Sequence, residues 1–587
     1  MSSSEYESDY LEDKCESAAN ILTLAEDEVF EPIEDVNLFK NQNNDKITIR
    51  VDDSNNKKRN MYFLGMICLI LTKGTIKFGQ RIINHNDLNQ TGTIIKFWQS
   101  SAKTLKPLIM VSPECELEIL NPKLNNVFEQ IQCFSRQKFK YLFRDIDVTD
   151  PDLNFFDVFQ ILPPAVVKKY RTYDYKENQE FIKVVDEIHN SSSNQNLCKM
   201  TICLGGKNSG KTTFNEMLYE LYMNTSSLPL FMDLDPGQQR FGFPGSISTR
   251  KFNEMELCTE YGDSLAPIDD NNIEHYMIGS FDCMEYYTNY EEKTLFMIDN
   301  AASFSKDVIV NMPGWLTGLG TQFIETIVKR INDLAVFDLK IVYLDDEESF
   351  HKLNINIDVD YYITNNSSLY YAPGYKNSVM NTGIFFEQLN WTSSDLREYR
   401  LLRSLHDYDN NKSILNQKTF AVSMGNEIKN IRSIKITQYL NKTPSKTEEM
   451  TCFKTLPGSI VAISFFDFLS NDILTTENTS IFKDYSNINE KMICLGVVHS
   501  VDVKNSYINL IIPLRFKKKI DILNTFDFKY GKIQTMAVGL PYYEFLPVDE
   551  DFIKEYKGQI PYTTTRALRK NEHVWKVRKN IQRKGQQ

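Results

Sequence analysis

An apolar run, Lys199 to Leu204 (KMTICL), passes without a break into Gly205-Gly206-Lys207-Asn208-Ser209-Gly210-Lys211-Thr212, and a helical pattern follows. No other feature of the 587-residue chain limits its fold so tightly. The glycines permit backbone conformations that turn successive N–H groups inward, forming an anion cradle. The helix behind them adds its positive N-terminal dipole. Its buried stripe is expected at Phe214, Met217, Leu218, Leu221 and Tyr222, the spacing of one helix face. The octet fits GxxxxGK[ST] at every fixed position. Lys211 is then expected to reach the β/γ-phosphates of a nucleotide, and the Thr212 hydroxyl to ligate Mg2+. With Thr213, residues 205–213 form the candidate nucleotide-binding set. A plain glycine-rich turn between strand and helix is the bland alternative.

A second strand is expected at Leu228–Met232, running into Asp233-Leu234-Asp235-Pro236-Gly237-Gln238. Carboxylates two residues apart point to the same side of an extended strand. At its C-terminal end they would overlook the nucleotide. One is suited to hold Mg2+, with Asp233 the metal candidate, and the other to accept a proton from an attacking hydroxyl. Two solvated acids on a surface turn are the alternative. A third strand, Val308–Val310, leads to Asn311-Met312-Pro313-Gly314-Trp315. There Trp315 offers a flat surface for a stacked base, or else fills a core. A helix over 320–335 and a strand over Leu339–Leu344 continue the alternation. Arg397, Arg400 and Arg403 recur every three residues, which places three guanidinium groups on one helix face. They form either a solvated basic face or a lid that neutralises transition-state charge. No Asn-Lys-x-Asp base-reading motif follows the expected strands, so ATP is the expected nucleotide, with GTP the alternative.

Around this core the chain divides by pattern into residues 1–59 (a disordered acidic tail), 60–164 (a β-rich domain), 165–410 (the P-loop domain with its lid), 411–562 (a second β-rich domain) and 563–587 (a basic tail). The expected fold class is an α/β P-loop core on a parallel sheet, flanked by β-rich domains. Residues 165–194 read as a charged helical lead-in. The net charge of −12 hides a strong asymmetry. Residues 1–35 hold twelve acidic groups and one lysine, while residues 563–587 hold eight Lys or Arg and one Glu. Like-charge runs of this kind act as interaction tails. Ten cysteines without a CxxC pair and seven scattered histidines argue against a zinc site and for a reducing compartment. The acidic N-terminus is unlike a secretory or transit signal. The longest apolar run, Met61–Thr72, is too short to cross a bilayer, so no membrane partner is expected.

The combination GGKNSGKTT, DLDPGQ and PGWLTGLG resembles the polynucleotide 5'-hydroxyl kinases related to the mRNA cleavage factor Clp and its nucleolar relatives. That family orders a β domain, a P-loop kinase domain and a second β domain, which agrees with the layout over roughly residues 60–560. Proline in DLDPGQ and in PGW points to the nucleolar branch. The resemblance implies phosphate and metal roles for Lys211 and Thr212. It makes Asp235, with Asp233 its neighbour, the candidate base or metal holder, and sets Gln238 on the substrate side. It makes Trp315 part of the clasp on the RNA end, and Arg397 and Arg400 the lid arginines. Where the clasp usually begins with Thr, this chain has Met312.

The nucleolar resemblance further implies an RNA substrate with a 5'-hydroxyl end and a HEPN-type endonuclease partner in a higher-order complex. It implies action on the second internal transcribed spacer of pre-ribosomal RNA and residence in the nucleus and nucleolus. The basic tail Arg566–Lys584, with Trp575, suits contact with that partner. Alternatives are a Clp-type kinase in mRNA 3'-end formation or tRNA splicing, a non-catalytic scaffold, and a P-loop ATPase or small-molecule kinase. The acidic body shows no strongly basic nucleic-acid face, although Arg515–Lys519 is a local patch.

Overall fold

Strands near the N-terminus form because apolar and polar residues alternate along them. In Glu114–Leu120, Cys115, Leu117 and Ile119 point inward while Glu116 and Glu118 stay half-exposed. The computed structural model describes residues 37–40, 46–52, 59–85, 94–120, 141–149, 154–155, 159–173, 178–191, 197–224, 228–251, 273–304, 306–353, 355, 367–376, 391–405, 419–423, 433–435, 457, 459–466, 490–502, 504–505, 507–513 and 531–535. The acidic head, the Arg515–Lys519 patch and the basic tail lie outside the described residues. These fall into two compact units. One runs up to Arg397 apart from Gly279–Phe281; the other holds that short segment and everything from Glu398 onward.

In the first unit, the apolar run becomes the long strand Phe63–Lys73, paired antiparallel with Ile95–Gln99, Glu114–Leu120 and Phe159–Ile161. A second, four-stranded antiparallel sheet holds Arg59–Met61, Leu108–Met110, Thr75–Phe78 and Arg81–Asn84. Both sheets contribute to one core, which includes Ile67, Leu69 and Leu117 from the first and Ile76, Phe78 and Leu108 from the second.

The same unit contains a seven-stranded sheet in the order Ile273–Met277, Ser246–Lys251, Leu230–Asp233, Val308–Asn311, Cys198–Leu204, Phe337–Tyr343, Ser367–Tyr371. Five strands run parallel. At one edge Ser246–Lys251 pairs antiparallel with both Leu230–Asp233 and Ile273–Met277, so the parallel core carries an antiparallel edge that was not expected. The glycine-bearing segment 242–245 returns the chain beside Leu230–Asp233 without a crossover helix, and only an antiparallel neighbour needs none.

The P-loop strand Cys198–Leu204 is covered on both faces. Met200, Ile202 and Leu204 enter the core under helices Tyr287–Ala302 and Leu319–Leu334. Cys203 enters the opposite core under Gln179–Asn190 and Lys211–Tyr222. Double burial is why the segment reads as a continuous apolar run. The expected helical lead-in is interrupted. It consists of Pro164–Val167 and Gln179–Asn190, and between them Thr172 bridges Leu105. No helix among the described residues is long and apolar enough to cross a membrane.

The second unit carries a six-stranded sheet in the order Phe420–Ser423, Tyr507–Ile511, Glu490–Asp502, Ile460–Phe466, Gly531–Thr535, Ser433–Lys435. Its pairings are antiparallel except for the last, which is parallel.

Candidate active site

The P-loop closes on its own lysine. Lys211 Nζ donates to the carbonyls of Gly205 at 2.8 Å and Gly206 at 2.6 Å. Burial lowers the pKa of its ammonium, an effect that Cys203 and Asp235 oppose. Ser209 Oγ donates to Gly206 O at 3.0 Å and tightens the turn. Gly210 has φ +100°, and a Cβ there would fall 2.4 Å from Tyr375 Cβ. Glycine is therefore required twice over, for its left-handed backbone and for the close approach. Gly206 lies on the open side, where a Cβ would meet nothing within 4 Å. Lys207 and Asn208 are exposed, and Thr212 and Thr213 are half-buried in the first helical turn.

The two carboxylates do not share one face of a strand. The strand stops at Asp233, and Asp235 belongs to the turn beyond it. Asp233 is fully buried. Its Oδ1 accepts from Asn311 Nδ2 at 2.9 Å and from the Asp235 backbone N–H at 3.3 Å. Its Oδ2 accepts from the Arg240 backbone N–H at 2.6 Å. Burial pushes its pKa up to about 6 despite these donors. Asn311 in turn accepts from Asn215 Nδ2 of the P-loop helix at 3.2 Å. Asn215 and Arg240 were not legible as site residues: one sits mid-helix and the other follows the turn, with no motif to mark either.

Asp235 is half-buried, and its Oδ1 accepts the backbone N–H groups of Gly237 at 2.9 Å and Gln238 at 3.1 Å. The carboxylate thus shapes the turn that it belongs to. Its field reaches Lys211, Cys283, Tyr290 and Arg397. Arg397 donates from Nη1 to Gly237 O at 3.4 Å, so the lid helix Ser393–Leu405 meets the same turn. Gln238 is exposed beside it. Arg400 is half-buried and belongs to the second unit, where its carbonyl accepts from Ser404 Oγ. The Arg403 side chain lies outside the described residues.

The Pro313-Gly314 turn touches the P-loop, since a Cβ on Gly314 would lie 3.2 Å from Lys207 N. Trp315 is half-buried, with Tyr287 edge-on at 6.0 Å and 83°. Gly320 gives it room: a Cβ there would lie 2.8 Å from Trp315 Cγ. Met312 is a core residue, 2 % exposed.

Among the described residues no group of three or more His, Cys, Asp and Glu forms a metal cage. Mg2+ on a nucleotide does not need one, because water and phosphate supply most of its ligands. The oxygens of Thr212 and Asp235 fit that chemistry. Those of Asp233 are engaged by three N–H donors, so it fits only as a partner of metal-bound water.

Residues 205–375 match the family model for the mRNA cleavage and polyadenylation factor CLP1 P-loop. The chain is 24% identical over 447 residues to the polynucleotide 5'-hydroxyl-kinase GRC3 of Candida glabrata, covering 73% of this chain and 68% of that one. It is 26% identical over 429 residues to its Kluyveromyces lactis counterpart, covering 69% and 63%. A shorter match, 31% over 147 residues, joins it to the polynucleotide 5'-hydroxyl-kinase NOL9 of Danio rerio, with 24% and 19% covered. The chain thus spans about two thirds of the fungal relatives' length. Among solved structures it is similar to the wild-type Clp1p–Pcf11p complex, with a TM-score of 0.46 and 12% identity over 84% of this chain and 98% of that one. The chain is thus similar, over residues 205–375, to the CLP1 P-loop, and over a longer stretch to the polynucleotide 5'-hydroxyl-kinases named GRC3.

Proposed function

We propose that this chain transfers the γ-phosphate of ATP to the 5'-hydroxyl of RNA. The observation that carries the reading is the convergence at Asp235. Its carboxylate's field acts on both Lys211 and Arg397, and Arg397 contacts the Gly237 carbonyl of the same turn. The Gly314 turn that presents Trp315 abuts Lys207 of the same loop.

In this reading the loop N–H groups hold the phosphates and Lys211 draws charge from the β/γ-bridge. Asp235 orients the 5'-hydroxyl or takes its proton, and Arg397 neutralises charge on the equatorial oxygens. Bound Mg2+, held through Thr212 and the carboxylate turn, would add charge neutralisation on the phosphates. Gln238 and Trp315 face the RNA end, and Trp315 supplies a stacking surface. Lys211→Ala and Asp235→Ala should each abolish labelling of a 5'-hydroxyl RNA oligonucleotide by γ-labelled ATP. Undiminished labelling in both variants overturns the assignment.

The prolines of DLDPGQ and PGW, which resemble the nucleolar branch, carry a finer proposal. It is a nuclear and nucleolar role in pre-ribosomal-RNA processing, at the second internal transcribed spacer, beside a HEPN-type endonuclease. An affinity pull-down with a kinase assay on the same sample tests it. Recovery of an endonuclease of ribosomal-RNA processing supports it, and recovery of a cleavage-factor or tRNA-splicing subunit redirects it.

A further inference from the structure

The P-loop helix buries a face that should be wet. Glu216 and Glu220 are 8 % and 1 % exposed, because a loop of the N-terminal β region, Ser101–Lys106, covers them. Lys106 pairs with both carboxylates, and its contact with Glu220 is the tighter. Lys103 reaches Glu216 at 3.3 Å. Arg240 Nη1 reaches the same carboxylate at 2.7 Å, while the Arg240 backbone N–H holds Asp233. Buried ions of this kind persist only where geometry and further hydrogen bonds hold them.

The loop is itself pinned. The Gln99 side-chain amide donates to Lys106 O at 2.8 Å and accepts from Lys106 N at 2.7 Å. Leu105 N donates to Arg171 O at 2.7 Å and accepts through its carbonyl from Tyr173 N. Its other end reaches the lid. Trp391 Nε1 donates to Ser101 Oγ at 3.1 Å. One residue later a capping box starts the lid helix: Thr392 and Asp395 bond each other reciprocally. Arg397 follows at the start of the second turn and reaches Gly237 O.

From this geometry we infer that the Ser101–Lys106 loop is a positioning element of the phosphotransfer site. It holds the carboxylate turn through Glu216 and Arg240, and the lid arginine through Trp391. The inference rests on the kinase reading above. The loop touches no reacting atom; it sets the distance between two groups that do. A small displacement of such groups costs rate without costing nucleotide affinity.

The test uses the full chain with Ser101→Ala and Trp391→Phe, which remove one hydrogen bond and keep the packing. Each should lower kcat for RNA 5'-phosphorylation about tenfold, with KM for ATP and Tm unchanged. Neither should lower kcat further in an Arg397→Ala background, because Trp391 acts through Arg397. Amide exchange over 393–397 should quicken in Ser101→Ala, a readout independent of turnover. Parental kcat in both variants, or an equal loss with and without Arg397, overturns the inference; so does unchanged exchange over 393–397. Absence of labelling by the unmodified chain instead overturns the kinase reading and leaves the exchange result to judge the tether. The paired variant Lys106→Met with Glu220→Gln, which removes both charges together, should also lower kcat while keeping ATP binding. Parental kcat in that paired variant removes the P-loop-helix arm of the inference.

Discussion

Asn311 donates its side-chain amide to the buried carboxylate of Asp233 at 2.9 Å, across two neighbouring parallel strands in which these residues face each other. The bond ends a polar thread that starts at Asn215 on the P-loop helix. Through it the phosphate loop and the carboxylate turn share one support.

Removing that donor by Asn311→Ala should destabilise the protein by about 1–3 kcal/mol at pH 7, because the buried Asp233 carboxylate then loses its one side-chain donor and keeps only two backbone N–H groups. The loss should shrink at pH 5. The folded pKa of Asp233 lies near 6, above its ordinary 3.8. The folded state therefore holds a proton that the unfolded chain releases between those values. A protonated Asp233 needs the donor less. Denaturant titrations at both pH values check this, and an equal loss at each would contradict it.

Asp235→Asn keeps an oxygen to accept from Gly237 and Gln238 but removes the charge that faces Lys211 and Arg397. We expect kcat for RNA phosphorylation to fall by about 10²–10⁴ while Tm stays within a few degrees. Steady-state kinetics and calorimetry on one preparation separate the two effects.

Glu216 carries an opposite pH signature. Burial pushes its carboxyl up, but Arg240, Lys103 and Lys106 together hold it down at about 2. A depressed acid contributes stability above its unfolded value of 4.5, and that contribution is lost as pH falls from about 4.5 towards 2. Glu216→Gln should flatten Tm against pH in that window. A parental slope in the variant would show that other groups set the acid limit.

Trp315→Ala should raise KM for a 5'-hydroxyl RNA by an amount worth about 1–3 kcal/mol of stacking, with KM for ATP unchanged. Trp315→Phe should recover part of the loss. An equal rise in both KM values would mean that the side chain merely props the Gly314 turn against Lys207.

The phosphate loop was legible because its chemistry is contiguous. Strand, glycines, Lys211, Thr212 and the helix stripe lie within two dozen residues, and local rules act on neighbours. Phe214, Met217, Leu218 and Tyr222 are buried as the spacing expected, while Leu221 remains half-exposed. The antiparallel edge of the sheet was not legible. Nothing local distinguishes Ser246–Lys251 from a parallel strand, and direction depends on which neighbour it meets. The shared face expected of Asp233 and Asp235 failed for a local reason: Pro236 and Gly237 end the strand, so the period of two no longer applies.

Asn215, Glu216 and Glu220 belong to a third kind. Helical period alone assigns them to the solvent side, yet each is buried. What buries them lies far along the chain: Lys106 is 114 residues from Glu220, and Asn311 is 96 from Asn215. A residue's own neighbours set its torsions and its face of the helix. Whether that face meets water or a buried lysine depends on how distant segments pack, because desolvation and ion pairing are properties of the assembled interior rather than of the local chain.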